Sequence, residues 1–252
     1  MRSELSHPYL AGPYPRAFAH RGWHLDDLVG MENSFSAVRR ACTEGYRYVE
    51  TDVHATSDGV VVLHHDGKLD RTTDGKGVVS ALPWSAVSTA RVGGREPVAR
   101  LDAVLEELPD VLLNIDVKSD AAIGPVLATL RRCAAFGRVC LASFSDARLA
   151  RLRRLGGPDV LTSMAPRSVL GLLLGGRVPG LPVLGGMAQV PVRYGRLKVV
   201  TPGFLASARR LGREVHVWTV DDEPRMRTLL DVGVDGLVTD RPDLLRSVLR
   251  SR

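Results

Sequence analysis

Cysteine is scarce: the 252 residues include three, Cys42, Cys133 and Cys140. The number is odd and no Cys-x-x-Cys pair occurs, so neither a disulfide framework nor a cysteine zinc site is expected. Long hydrophobic runs are also missing. The most apolar stretch, Val169 to Leu184, is broken by Arg177, two prolines and several glycines, which leaves it too short to span a bilayer. The N-terminal segment MRSELSHPYLAGPYPRAFAHRG lacks an apolar core of signal-peptide length. A cytoplasmic protein without a transmembrane segment is therefore expected. No linker, low-complexity segment or composition break divides the chain, so residues 1–252 read as one domain. A clustered basic stripe is absent too. Arg39/Arg40, Arg131/Arg132, Arg153/Arg154 and Arg209/Arg210 are spread over separate candidate helices and read as solvated faces. Nucleic acid is accordingly not expected as a partner.

What is present is ordinary for a soluble globular protein: 44% hydrophobic and 25% charged residues. The surplus of 34 Lys and Arg over 28 Asp and Glu, a net charge of +6, favours approach of an anionic substrate. Short, often β-branched apolar runs alternate with stretches of helical period. The runs are Ala17–Ala19, Tyr48–Val53, Val111–Val117, Val139–Ser143, Val160–Ser163, Met187–Val190, Glu214–Val220 and Gly236–Thr239. Helical patterns follow at Asn33–Tyr46, Leu101–Leu108, Ala121–Phe136, Ser145–Leu155, Arg167–Leu174, Pro202–Leu211, Glu223–Val232 and Pro242–Leu249. Several begin after Ser, Thr or Asp and end near Gly, as helix caps require. Eight β–α units point to an α/β protein of the (β/α)8 TIM-barrel type; a doubly wound open sheet is the alternative. Roughly Ser57 to Arg100 breaks the alternation and reads as a small insertion after the second strand.

In such barrels chemistry gathers where strands end and loops begin. The first run ends in His20-Arg21-Gly22, and the second contains Glu50-Thr51-Asp52-Val53-His54. The third ends in Asp116-Val117-Lys118, the seventh reaches Trp218-Thr219, and the eighth ends in Thr239-Asp240-Arg241. Glu50 and Asp52 are two apart on a strand and share a face. Like charges so placed repel unless something positive stands between them. One divalent cation, magnesium or calcium, would serve, because carboxylates are hard oxygen ligands. Asp116 would add a third carboxylate, and Lys118 on its face could neutralise a phosphate oxygen. The bland reading pairs each acid with a nearby Arg or Lys.

His20 and His65 are candidates for general acid and base, since histidine titrates near neutrality. Cleaving a phosphodiester needs both acts. Arg21 offers a planar fork to phosphate oxygens. His7, His24 and His216 read as unremarkable exposed side chains. His54 shares the Glu50/Asp52 face as a supporting group, and His64, alternating with His65, should point elsewhere. Asn33 reads as the N-cap of the first helix. Glu32 either orients the site or favours that helix N-terminus. Trp218 is either barrel packing or a platform for the substrate.

These residues fall into an ordered pattern that resembles the glycerophosphodiester phosphodiesterase family across nearly the whole chain. The match starts at AHRG (Ala19–Gly22) and continues through MENSFSAVRRA (Met31–Ala41). It is tightest in EGYRYVETDVHATSDGVVVLHHDGKLDRTTDGKG (Glu44–Gly77), then passes to NIDVK (Asn114–Lys118), HVWTVDD (His216–Asp222) and VDGLVTDRPDLL (Val234–Leu245). The resemblance implies a barrel with an insertion after its second strand, and hydrolysis of glycerophosphodiesters to glycerol 3-phosphate and an alcohol. Position by position, it implies His20 and His65 as the catalytic histidines. Glu50, Asp52 and Asp116 fall on metal-ligand positions, and Arg21 and Lys118 on phosphate contacts. Asp116 departs from the family's usual Glu. It is one methylene shorter, which puts the choice and affinity of the cation in question.

Three other readings compete. A lysophospholipase D would act on lysolipid substrates and need an apolar groove at the barrel mouth, which Val169–Leu184 could line, though that stretch reads equally well as a buried helix and loop. A sphingomyelinase D-like activity is more distant and lacks its disulfides and secretion signal here. A non-catalytic phosphate- or lipid-binding barrel would show a decayed site, and none of the histidines or carboxylates is lost. The nucleophile, water or the substrate's own glycerol hydroxyl, is open. No segment specifies an oligomeric state.

Overall fold

All eight apolar runs form strands, and each strand is followed by a helix. In the computed structural model, which describes residues 7–252, the barrel strands are β1 (Arg16–His20), β2 (Tyr48–Ala55), β3 (Leu112–Val117) and β4 (Val139–Ala142). They continue as β5 (Leu161–Thr162), β6 (Met187–Val190), β7 (Glu214–Val217) and β8 (Gly236–Thr239). The helices are α1 (Phe35–Thr43), α2 (Leu101–Glu107), α3 (Ile123–Arg132), α4 (Asp146–Gly156), α5 (Pro166–Leu173), α6 (Pro202–Arg210), α7 (Glu223–Asp231) and α8 (Pro242–Arg250). Residues 1–6, part of the stretch read above for a leader, lie outside the described residues. Among those described, no helix is long and apolar enough to cross a membrane.

Helix starts follow side-chain chemistry. Ser34, Ser145, Thr201 and Asp222 each accept a hydrogen bond from the amide three residues on, satisfying a donor the helix leaves free. Pro at the first turn of α5, α6, α7 and α8 costs no hydrogen bond there.

The eight strands run parallel in the order β5-β4-β3-β2-β1-β8-β7-β6. A parallel bridge between Ser163 and Met187 joins β5 to β6 and closes the ring, which excludes the open-sheet alternative. Outward residues such as Val49, Leu113 and Ile115 pack under the helices on one side of the barrel, and Ala188, Val215 and Val217 on the other. Inward residues Phe18, Tyr48, Leu112, Cys140, Met187 and Val238 fill the interior, as side-chain alternation along a strand requires.

The insertion is a compact flap on β2. Val61–Leu63 pairs antiparallel with β2, placing Leu63 opposite Val53. Arg91–Val92 and Glu96–Pro97 form a small ribbon, and Met31, Val62, Leu69, Val79 and Val87 give the flap its own apolar cluster. Of the two readings of the Val169–Leu184 stretch, a groove wall or a helix and loop, the structure shows the second. It is α5 plus a loop returning to the start of β6, at the amino end of the barrel and away from its mouth.

Candidate active site

Strand register sets the site. His20 pairs with Glu50, and Glu50 with Asn114; one step higher, Asp52 pairs with Asp116. Every second residue faces inward, so the first level offers His20, Glu50 and Asn114 and the next offers Asp52 and Asp116. Glu50, Asp52, Asn114 and Asp116 are all buried.

His20 sits between two carboxylates. Its Nδ1 lies 2.6 Å from Asp240 Oδ1 and its Nε2 3.6 Å from Glu50 Oε2. An ionised carboxylate only accepts, so Asp240 fixes the proton on Nδ1 and leaves Nε2 toward Glu50. Burial by itself would lower the His20 pKa, but Glu50 and the hydrogen bond to Asp240 outweigh it, and the net shift is upward. Asp240 is held well below the carboxylate range: burial opposes this, and hydrogen bonds from His20 and His24 prevail.

Asp52 and Asp116 share one ammonium. Lys118 Nζ lies 2.7 Å from Asp52 Oδ1 and 2.7 Å from Asp116 Oδ2. Yet the two acids shift in opposite directions. Burial raises both, and Asp116 stays raised because burial and the Asp52 charge outweigh Lys118 and the more distant Arg148. Asp52 ends lowered because Arg21 Nε at 3.2 Å and the Asn33 amide at 2.9 Å join Lys118. Glu50 has no Lys or Arg side chain in contact among the described residues, and His20 and the more distant Lys118 offset its burial only in part. Its contacts are His20 and the Arg21 backbone amide at 3.3 Å, and burial followed by the Asp52 charge drives its pKa upward.

The insertion brings in His65. The His64 amide donates to the Asp52 carbonyl at 2.9 Å, which seats the His64-His65 pair beside Asp52. His65 Nδ1 then lies 2.6 Å from Asp66 Oδ1, the same arrangement that His20 has with Asp240. Asp66 is gripped by Arg71, whose guanidinium also bonds Glu32; Glu32 in turn bonds Arg21. This chain of charges ties the flap to the β1 loop, and Arg71 foremost, with His65 behind it, keeps the Asp66 pKa low.

Several side chains differ from their sequence readings. Asn33 does not cap α1; Ser34 does. Asn33 sits at φ +58°, a left-handed conformation Asn tolerates. Its side chain bonds Thr51 Oγ1 and both the amide and carboxylate of Asp52. His216 is not exposed: it is fully buried on β7, 3.0 Å from Glu214. His24 reaches Asp240 at 3.2 Å. His54 bonds the His65 carbonyl and His64 the Lys68 carbonyl, so His54 supports the flap and His64 points away, as expected. Trp218 packs on the barrel interior and meets the exposed Phe144 edge-to-face at 5.7 Å. Asp240, which the sequence marks only as the end of the eighth run, and Asp66 and Arg71, which lie inside the matched segment, carry no role in the sequence reading; Asp240 meets His20 only in three dimensions, and Asp66 adjoins His65 at a separation too short to signal anything by itself.

Among the described residues, no three His, Cys, Asp or Glu side chains already surround one point as metal ligands would. The donor set nevertheless fits a hard cation. Glu50, Asp52 and Asp116 are buried oxygens on adjoining strands, facing one ammonium and a guanidinium that Glu32 also claims. Buried negative charge in excess is what an oxygen-ligated divalent ion offsets.

The model of the glycerophosphoryl diester phosphodiesterase family matches residues 20–244. The chain belongs to this family. It is 40% identical over 242 residues to a Mycobacterium tuberculosis protein named "Probable glycerophosphodiester phosphodiesterase 2", covering 94% of this chain and 91% of that one. The crystal structure of a glycerophosphodiester phosphodiesterase from Agrobacterium tumefaciens superposes with a TM-score of 0.77 at 29% identity, covering 94% of this chain and 99% of the other. An Oleispira antarctica phosphodiesterase, solved in complex with the product sn-glycerol-3-phosphate, shares the fold with a TM-score of 0.77 at 20% identity, covering 96% and 99% of the two chains. This member of the glycerophosphoryl diester phosphodiesterase family is thus a phosphoric diester hydrolase of the glycerophosphodiester type.

Proposed function

We propose that this hydrolase converts glycerophosphodiesters to glycerol 3-phosphate and an alcohol with His20 and His65 as its acid–base pair, in a reaction that depends on a divalent cation. The observation that carries this reading is the pair of matched His–Asp couples, His20–Asp240 and His65–Asp66, each with 2.6 Å between Nδ1 and Oδ1. Each aspartate pins one ring nitrogen and frees Nε2 to take or give a proton. One histidine would deprotonate the nucleophile and the other would protonate the leaving alkoxide. Arg21 and Lys118 would hold the phosphate oxygens once the substrate competes for them with Glu32, Asp52 and Asp116. Trp218 would pack against the glycerol or alcohol side.

Glu50, Asp52 and Asp116 are the residues proposed to hold magnesium or calcium. When bound, the cation would supply Lewis-acid stabilisation of charge on the phosphate oxygens. Asp116 keeps the carboxylate but reaches less far than the family's Glu. The product seen with the Oleispira antarctica relative is consistent with a glycerol 3-phosphate-sized site.

The test is an assay of glycerophosphodiesters with and without chelator, on wild type, His20→Ala and His65→Ala. Removing either histidine is expected to lower kcat by roughly 100- to 10,000-fold, and chelation to abolish turnover until magnesium or calcium is restored. Activity insensitive to chelator refutes the cation, and full activity in either variant removes that histidine from the mechanism.

A further inference from the structure

Arginines are spread evenly along the chain, but acids are not. From Val160 to Arg213 there are eight Lys and Arg and no Asp or Glu, while outside it 26 Lys and Arg face 28 Asp and Glu. The whole positive surplus belongs to this segment. Within it, just past the carboxyl end of β6, the chain makes a two-stranded ribbon that pairs Arg193 with Lys198 and Tyr194 with Leu197. All four side chains are exposed, Tyr194 at 78% and Leu197 at 54%. Directly opposed residues share a face and neighbours alternate. One face of the ribbon is therefore Tyr194 and Leu197, the other Arg193 and Lys198, with Gly195 and Arg196 at the tip. Gly195 takes φ +57° to make the turn.

An exposed Tyr and Leu contribute nothing to the core, and a free ribbon of this length is marginal by itself. Aromatic and aliphatic side chains beside long cations are what an anionic bilayer surface accommodates. The apolar groups enter the headgroup region while the charges stay with the lipid phosphates. The position is also suited to such contact. The ribbon rises from the same rim as His20 and Asp52, and the Trp218 amide donates to the Val190 carbonyl at its root. Phe144, on the loop after β4, is 66% exposed on that rim. Nucleic acid would match the cations but leaves Leu197 and Phe144 unexplained.

We propose that the Arg193–Lys198 ribbon docks the mouth of the barrel onto a bilayer containing anionic lipid. The proposal stands apart from the catalytic reading, because binding is scored without substrate.

The experiment is cosedimentation of the full chain with large unilamellar vesicles of phosphatidylcholine alone or with phosphatidylglycerol, at low and high salt. Each basic residue near an anionic surface is worth about 1 kcal/mol, or roughly fivefold. Arg193→Ala/Lys198→Ala is thus expected to weaken binding to the anionic vesicles by roughly 30-fold, and Tyr194→Ser/Leu197→Ser to weaken it at both salt concentrations. Hydrolysis of a water-soluble glycerophosphodiester should remain at the wild-type rate in both variants. No vesicle binding by the wild type overturns the proposal. So does equal binding to both lipid compositions, undiminished binding by the variants, or preference for an oligonucleotide competitor over the vesicles.

Discussion

The two ends of the barrel treat buried charge in opposite ways. At the amino end Arg16 is fully buried and completely engaged. It bonds both oxygens of Glu214 at 2.5 and 2.7 Å, the Leu10 and Gly12 carbonyls, and the Tyr14 and Tyr48 hydroxyls. Glu214 also meets His216 and Tyr14. Gly236 makes room for this layer, since a Cβ there would lie 2.8 Å from the Arg16 carbonyl oxygen. At the carboxyl end, Asp52 and Asp116 share Lys118, Asp52 also meets the Arg21 guanidinium, and Glu50 touches neither side-chain cation. At the first end the Arg16 and Glu214 charges are fully paired, although His216 Nδ1 and the Tyr9 hydroxyl are buried without a hydrogen-bond partner among the described residues. The second carries unbalanced charge that costs stability and is retained where substrate must bind.

Breaking the fully paired end should produce the largest effect. Arg16→Met strands Glu214 in the barrel and is expected to destabilise by roughly 3–5 kcal/mol. For a chain of this size that lowers Tm by on the order of 10 °C, read by calorimetry, while kcat of the remaining folded enzyme changes little. A loss within 1 kcal/mol would mean water or relaxation already compensates at this end.

Acid titration sharpens the contrast. Burial would raise the Glu214 pKa, but Arg16 and then His216 pull it down to about 2, from an ordinary value of 4.5. A depressed folded-state pKa adds stability that is complete above the unfolded value and is lost as pH falls through the folded one. The stability gap between wild type and Glu214→Gln should therefore be full above pH 4.5 and shrink down to about pH 2. A gap independent of pH over that range would remove Glu214 as its source.

At the carboxyl end the expected effects are smaller on stability and larger on activity. Asn33→Ala deletes the side-chain bonds to Thr51 and Asp52 and places Ala at φ +58°. A loss of about 2 kcal/mol is expected, with kcat reduced because Asp52 is no longer fixed. Glu50→Gln removes the carboxylate that no Lys or Arg partners. It should leave stability unchanged or raise it by about 1 kcal/mol, while abolishing activity. Destabilisation by Glu50→Gln in chelated enzyme would show that Glu50 is compensated after all and erase the difference between the two ends.

Much of this was legible in the sequence. Eight apolar runs and eight amphipathic stretches gave the barrel, because a strand or helix announces its buried face by period. Glu50 and Asp52 were readable as one-sided for the same reason, and Ser57 to Arg100 as the piece that breaks the pattern. His216 shows where reading by type fails. A histidine on a strand can be buried only if another strand or residue supplies its partner, and Glu214 does so from two positions away. Asn33 fails differently: the residue types that cap helices also tolerate left-handed backbone, and the choice fell to Ser34.

The amino-acid order by itself therefore determined the elements, their alternation and the family pattern, since these depend on local period and spacing. Tertiary structure decided which charges meet. His20 meets Asp240 because β1 lies against β8, Glu50 stands level with Asn114 and Asp52 with Asp116 because of strand register, and Arg71 reaches Glu32 because the flap folds back over β2. Contacts between residues far apart in the chain depend on closure of the barrel, which no local stretch encodes. The same closure gives one set of buried charges full partners and leaves the other set short of them.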